Sequence, residues 1–134
     1  MNQQSLWFID DAITLVHDAE GGIVYHPARL PPATADQWLA TLRALVSWRS
    51  LRRPMYERVV DVPRLVASVA LRDPGRPACI DAALALVQAV APAPYTHVGL
   101  NLYRDGRDSV APHGDRQAEL VPGWPIAIVS LGAP

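Results

Sequence analysis

The chain has 134 residues, half of them hydrophobic and 19% charged, with a formal net charge of −1. That length sustains one domain with its own core, and that composition excludes a disordered polyelectrolyte. The near-neutral balance supplies no global basic field, so any contact with nucleic acid has to be local. All 12 basic residues are Arg. Beside 13 Pro and abundant Ala, this reads as the usage of a GC-rich genome rather than selection for phosphate contacts. Cys79 is the single cysteine, which excludes a disulfide framework and a Cys-based zinc site and fits a reducing, cytoplasmic setting. Met1 to Ser5 lacks a basic n-region, and Asp10 and Asp11 interrupt the first apolar run. Neither a signal peptide nor a membrane span is therefore expected.

In chain order, Leu6 to Ile9 and Ile13 to Val16 are short apolar runs compatible with strands. Gly21-Gly22 reads as a turn, and Ile23-Val24-Tyr25 as a further strand. Pro31-Pro32 breaks the chain before a helix, for which Thr34-Ala35-Asp36-Gln37 fits a capping box. Trp38, Leu42, Leu45 and Val46 share one face of that helix, and the plain reading of the face is core. Trp48 to Arg58 is a local basic patch. It sets Arg49, Arg52, Arg53 and Arg58 against Glu57, with Trp48 and Tyr56 interleaved. Arg with aromatics suits a phosphate backbone with stacked bases, and a solvated loop with internal ion pairs suits it slightly better. Val59 to Val69 is β-rich around Pro63, and Asp73-Pro74-Gly75-Arg76-Pro77 is a loop. Ile80, Ala83, Leu84, Val87 and Ala91 form the apolar face of a second helix, ended by Pro92 and Pro94. Neither internal repeats nor a low-complexity linker divides the chain, so we read one domain.

From Tyr95 onward the pattern is β. Val98, Leu100 and Leu102 alternate with His97, Gly99, Asn101 and Tyr103, so one face meets a core and the other something polar. Asp105-Gly106 marks a turn, Leu120 to Trp124 a loop, and Ile126 to Leu131 a buried strand. Between them stand His113 and Asp115. In extended chain, residues two apart point the same way, so the pair can converge on Fe(II), Mn(II) or Zn(II). His-x-Asp is two legs of a 2-His-1-carboxylate triad, whose third leg is a later histidine. The pair alone is a weak signal, and a surface histidine is the plainer reading. Asn101 and Tyr103 strengthen it, because an amide and a phenol can hold a co-substrate carboxylate in the same cavity.

Three segments together carry a family resemblance. They are Gly99 to Val110 with His113-Gly114-Asp115-Arg116, Ala127 to Pro134, and Met55 to Leu65. They resemble the AlkB family of Fe(II)/2-oxoglutarate-dependent dioxygenases, well over about the last 80 residues and loosely before them. The resemblance implies an α+β fold in which N-terminal helices pack on a double-stranded β-helix (jelly-roll) core. On that reading 1–94 is an N-terminal extension with helices and strands, and 95–134 holds the first strands of the core. The C-terminal part of that core is then absent, with its second ligand histidine and its 2-oxoglutarate arginines, and another chain or segment supplies the missing strands. His113 and Asp115 match the first iron ligands, and Asn101 and Tyr103 match the pair that contacts 2-oxoglutarate. Gln117 falls near the substrate base on that resemblance, and Arg52, Arg53 and Tyr56 of the basic patch are the further candidate contacts to an alkylated nucleic acid. Gln117 replaces an acidic residue, Pro112 replaces a frequent Trp, and Ser68-Val69-Ala70-Leu71 lacks an aromatic pair that stacks a flipped base. The implied activity is oxidative dealkylation of nucleobases. The alternative is an inactive fragment that binds nucleic acid or protein.

Overall fold

The computed structural model describes residues 12–55, 58–109 and 122–132, and the side chains of 51–63 are not described. Two strands come first, β1 (Ile13–Asp18) and β2 (Gly21–Tyr25), followed by helix α1 (Pro32–Leu45). Then come β3 (Arg49–Met55), β4 (Arg58–Ala70), helix α2 (Ala78–Val90) and β5 (His97–Leu102). The strands form two antiparallel sheets: a β1-β2 hairpin, and a three-stranded sheet in the order β3-β4-β5. The described residues thus hold two helices and two small antiparallel sheets. The first apolar run, Leu6 to Ile9, lies outside the described residues.

The β1-β2 hairpin turns one step earlier than the glycine pair suggests. Gly21 pairs with Asp18 and Gly22 with His17, so Ala19 and Glu20 make the turn. The Glu20 N–H donates to Asp18 Oδ1 at 2.9 Å, the Asx geometry that closes such turns. Gly21 sits at φ 140° with open space around its Cα, and Gly22 is needed because a Cβ there would lie 2.8 Å from the Val16 carbonyl oxygen. Both glycines therefore belong to the strand that leaves the turn.

Helix α1 starts two residues before the expected capping box. Pro31 is the N-cap and Pro32 opens the helix, and no side chain caps it. A proline at the first helical position loses no hydrogen bond and brings its φ already set. The Ala35 N–H donates to the Pro31 carbonyl at 3.0 Å. The apolar face of α1 is half-covered rather than core. Trp38, Leu39, Leu42 and Val46 are partly buried, while Leu45 is 67% exposed. In contrast α2 is anchored by Ile80, 4% exposed, with Ala67 of β4 at 8% as the other buried apolar residue among those described. Ala and Leu fill α2 and favour it intrinsically. Asp81 in its first turn opposes the helix dipole and holds Arg76 Nε at 2.8 Å. That pairing pushes the Arg76 guanidinium above its ordinary value. Asp73, in the loop before α2, accepts the Gly75 N–H at 2.8 Å.

The basic patch is not a loop. Arg49 to Met55 is strand β3, paired with β4 from Arg49↔Val66 to Met55↔Arg58. Between Ser50↔Leu65 and Arg52↔Asp61 the register shifts, so Val62, Pro63 and Arg64 bulge opposite Leu51. Proline has no N–H for a ladder and is tolerated at such bulges. Trp48 does not project as a stacking platform. Its indole N–H donates to the Leu42 carbonyl at 3.1 Å and ties β3 to the end of α1.

Ile126 to Leu131 overturns its expectation as a buried strand. It carries no strand pairing, and Ile128 is 85% exposed. An apolar run becomes a strand only where a neighbour supplies the ladder, and no described strand lies beside it. Gly132, at φ 90°, closes against Leu39 of α1, where a Cβ would come within 3.2 Å of Leu39 Cδ2.

Candidate functional site

Strand β5 is placed by its entry. The Gln88 side-chain amide donates to the Ala93 carbonyl at 2.7 Å and accepts the Ala93 N–H at 3.0 Å. The amide thus imitates a strand partner for the Pro92–Pro94 stretch. The Tyr95 hydroxyl donates to the Ala91 carbonyl, and the Leu71 N–H donates to the Thr96 carbonyl at 2.8 Å. From there β5 runs antiparallel to β4 in unbroken register, Ala70↔His97 through Leu65↔Leu102.

The alternation expected for β5 is present. His97, Gly99 and Asn101 are exposed, while Val98, Leu100 and Leu102 are partly buried. Partners in antiparallel strands share a face. The apolar face therefore joins Val98, Leu100 and Leu102 to Val69, Ala67 and Leu65, and the open face joins His97, Gly99 and Asn101 to Ala70, Ser68 and Val66. Tyr103 follows at the next position of the open face and is exposed. Asn101 and Tyr103 thus stand two residues apart at the end of β5, and both are exposed. His97 lies at the opposite end of the same strand, with Nδ1 3.0 Å from Thr96 Oγ1.

The chain leaving this face is clipped. The Arg104 N–H and Nε donate to Asp108 Oδ2 at 2.8 and 2.7 Å, and its Nη2 donates to Oδ1 at 3.0 Å. Asp108 is 7% exposed at its side chain. The Arg104 side-chain hydrogen bonds, then its backbone N–H and its charge, hold the Asp108 carboxyl below the usual carboxylate value. Asp105 turns the intervening loop by accepting the Arg107 N–H at 2.8 Å. This fork–fork pair fixes where the chain departs from Tyr103 toward residues 110–121.

His113, Asp115, Gln117 and Tyr56 lie outside the described residues, so the proposed metal pair has no geometry here. Among the described residues, no three His, Cys, Asp or Glu gather in a way that could hold a metal ion. Arg52 and Arg53 sit in β3 opposite Asp61 and Val60, and Arg58 opens β4 opposite Met55. Cys79 is partly buried, and burial pushes its thiol up, away from nucleophilic chemistry. An open apolar shelf formed by Pro92, Ala93, Pro94 and Trp124 contains none of the expected site residues. Sequence reading missed Arg64, whose Nε is buried with no hydrogen-bond partner. The sequence carried no periodic signal for it, because it lies in the β4 bulge.

Among the described residues, no helix is long and apolar enough to cross a membrane. No protein-family model matches the chain, and no solved structure matches it. Among curated proteins, the DNA oxidative demethylase ALKBH2 of Homo sapiens is 45% identical over 47 residues. That match covers 35% of this chain and 18% of the relative. A short stretch of the chain is therefore similar to an AlkB-type DNA demethylase, and the chain spans less than a fifth of that protein's length.

Proposed function

We propose that this chain carries the co-substrate face of an AlkB-like Fe(II)/2-oxoglutarate-dependent dioxygenase that removes alkyl groups from nucleobases. The observation that carries the reading is the pairing of Asn101 and Tyr103 on the open face of β5. The local identity to a DNA demethylase supports it. On this reading the three-stranded sheet is part of a jelly-roll. The donor set suits the co-substrate, because an amide and a phenol donate to a carboxylate while adding no competing negative charge. His113 and Asp115 would hold the iron, a hard imidazole–carboxylate pair of the kind Fe(II) takes. When bound, the iron would supply activation of O2, the oxidant, with 2-oxoglutarate as the electron donor that is consumed to succinate and CO2, which is the chemistry that oxidises an N-alkyl group.

The chain's own contribution is position. Val98, Leu100 and Leu102 seat β5 on its apolar side, so Asn101 is presented from a paired strand, with Tyr103 one residue past the strand's end. A site built on a strand keeps its donors in place without a further ordering cost at binding. Arg52 and Arg53, on the neighbouring β3, would meet the phosphates of an alkylated nucleic acid.

The test is calorimetric. Mn(II), an oxygen-stable stand-in for Fe(II), should bind the wild-type chain weakly, and His113→Ala or Asp115→Ala should lower that affinity by about 10–100-fold. With Mn(II) present, 2-oxoglutarate should bind, and Asn101→Ala or Tyr103→Phe should weaken it. Metal binding that survives both ligand substitutions, or 2-oxoglutarate binding indifferent to Asn101, would overturn the reading.

A further inference from the structure

The last pair of the β4-β5 ladder is Leu65↔Leu102, so Tyr103 is the first residue that the sheet no longer holds. Tyr103 is also 45% exposed, so packing does not fix its ring. A residue just past a strand end frays unless something else orders the chain. Asn101, by contrast, lies inside the ladder, paired with Val66. The two candidate donors therefore need different supports, and only Asn101 draws its own from the sheet.

A second support attaches at the residue after Tyr103. The Arg104 backbone N–H donates to Asp108 Oδ2 at 2.8 Å, and the same carboxylate takes Arg104 Nε at 2.7 Å and Nη2 at 3.0 Å. The Asp108 side chain is 7% exposed, so water competes little for these bonds. Behind the clamp the loop closes on itself. Asp105 accepts the Arg107 N–H at 2.8 Å through its side chain and the Asp108 N–H at 3.2 Å through its carbonyl. Tyr103 is thus bracketed by a ladder pair on one side and a three-point carboxylate clamp on the other. With both neighbours held, its two soft backbone dihedrals have little freedom left.

We infer that Asp108 is a positioning residue for the Tyr103 phenol, acting through the Arg104 backbone and touching no ligand itself. The inference rests on the co-substrate reading above and adds to it a residue that the reading does not use. An unclamped Tyr103 would have to be ordered when 2-oxoglutarate arrives, and ordering a residue at binding lowers affinity. Asn101 is ordered by its ladder pair, so loss of Asp108 silences Tyr103 and leaves Asn101 at work.

Double-mutant cycles separate this role from a structural one. Affinity for 2-oxoglutarate is measured by calorimetry on the full chain at constant, saturating Mn(II). The variants are Asp108→Ala, Tyr103→Phe, Asn101→Ala and the two doubles that contain Asp108→Ala. Asp108→Ala should weaken binding about as much as Tyr103→Phe does, on the order of 2- to 10-fold for one hydrogen bond. In the Tyr103→Phe background it should cost almost nothing more, because the hydroxyl it positions is already gone. In the Asn101→Ala background it should cost its full factor. Asp108→Asn keeps an acceptor without the charge and should fall between wild type and Asp108→Ala. It takes the place of Asp108→Ala in both cycles if far-UV circular dichroism shows that the alanine variant does not fold. Losses that add in the Tyr103 cycle overturn the inference and leave the co-substrate reading standing. Equal coupling in both cycles also overturns it, by assigning Asp108 to the whole end of the sheet. A wild-type chain that does not bind 2-oxoglutarate, or that binds it with no loss in Tyr103→Phe, removes the co-substrate reading and the positioning role together.

Discussion

Asp108 shows how one side chain fixes the exit from the candidate site. It receives three hydrogen bonds from Arg104, which keep its carboxyl ionised below the usual range. A carboxyl with a depressed value in the fold stabilises the structure above its unfolded value, about pH 3.9. That contribution disappears as pH falls through the lower folded value. Acidification through that depressed value should therefore release the clip, and Asp108→Ala should release it at neutral pH. Hydrogen exchange at the Arg104 amide reads both, and protection retained in Asp108→Ala would show that the loop is held elsewhere. At this scale the sequence was partly legible. Asn101 and Tyr103 were readable because strand period alone puts them on one face. Arg64 was not, because its place depends on a bulge of two extra residues in β4, and no periodicity announces an irregularity. The Arg104–Asp108 pair was hidden for another reason: its spacing looks helical, and only the Asp105 turn brings the two ends together.

At the scale of elements, the two helices look equally amphipathic in sequence and differ in burial. Ile80 of α2 is among the few buried apolar residues, whereas Leu45 of α1 is mostly exposed. Ile80→Ala should cost about 2–5 kcal/mol, and Leu45→Ala should stay within about 0.5 kcal/mol. Urea melts of the two variants measure the contrast, and equal losses would mean that the face of α1 is covered in solution. A pattern tells which face of a helix is apolar, not whether anything covers it, and that is why the core reading of α1 failed. The start of α1 was misread for a local reason, since the capping-box spelling competes with a proline already set for the first turn. Strand β3 carries a different expectation. If Arg52 and Arg53 contact phosphates, replacing both should weaken all sequences alike and flatten the salt dependence by about one unit of slope per lost contact. Fluorescence titration of a labelled oligonucleotide at several salt concentrations gives the slope, and an unchanged slope returns β3 to a structural role.

For the whole molecule, the sequence showed enough apolar residues for a core, but the structure leaves many of them in water. Ile13, Leu15, Val16, Ile23, Val24 and Tyr25 line an exposed hairpin, and Trp124, Ile126, Ile128 and Val129 line an unpaired extended run. Around the β1 register shift, Ile13, Val16, Ile23 and Tyr25 fall on one face by pairing. Contiguous apolar surface of this sort is uncommon on soluble monomers, and strands with free edges invite pairing. The jelly-roll of the proposed reading would cover Ile126 to Leu131 with neighbouring strands, which is what an apolar run without alternation is suited to. The isolated chain should therefore associate as its concentration rises. Ile128→Lys should reduce that association, because a charge in the run opposes strand stacking. It should leave the melting temperature nearly unchanged, since the side chain it replaces is already in water. Light scattering coupled to size-exclusion chromatography measures the first effect and thermal melting the second. A wild-type chain that stays monomeric throughout would show that its apolar faces tolerate water. A melting temperature that falls sharply in Ile128→Lys would show that the run is packed in solution after all.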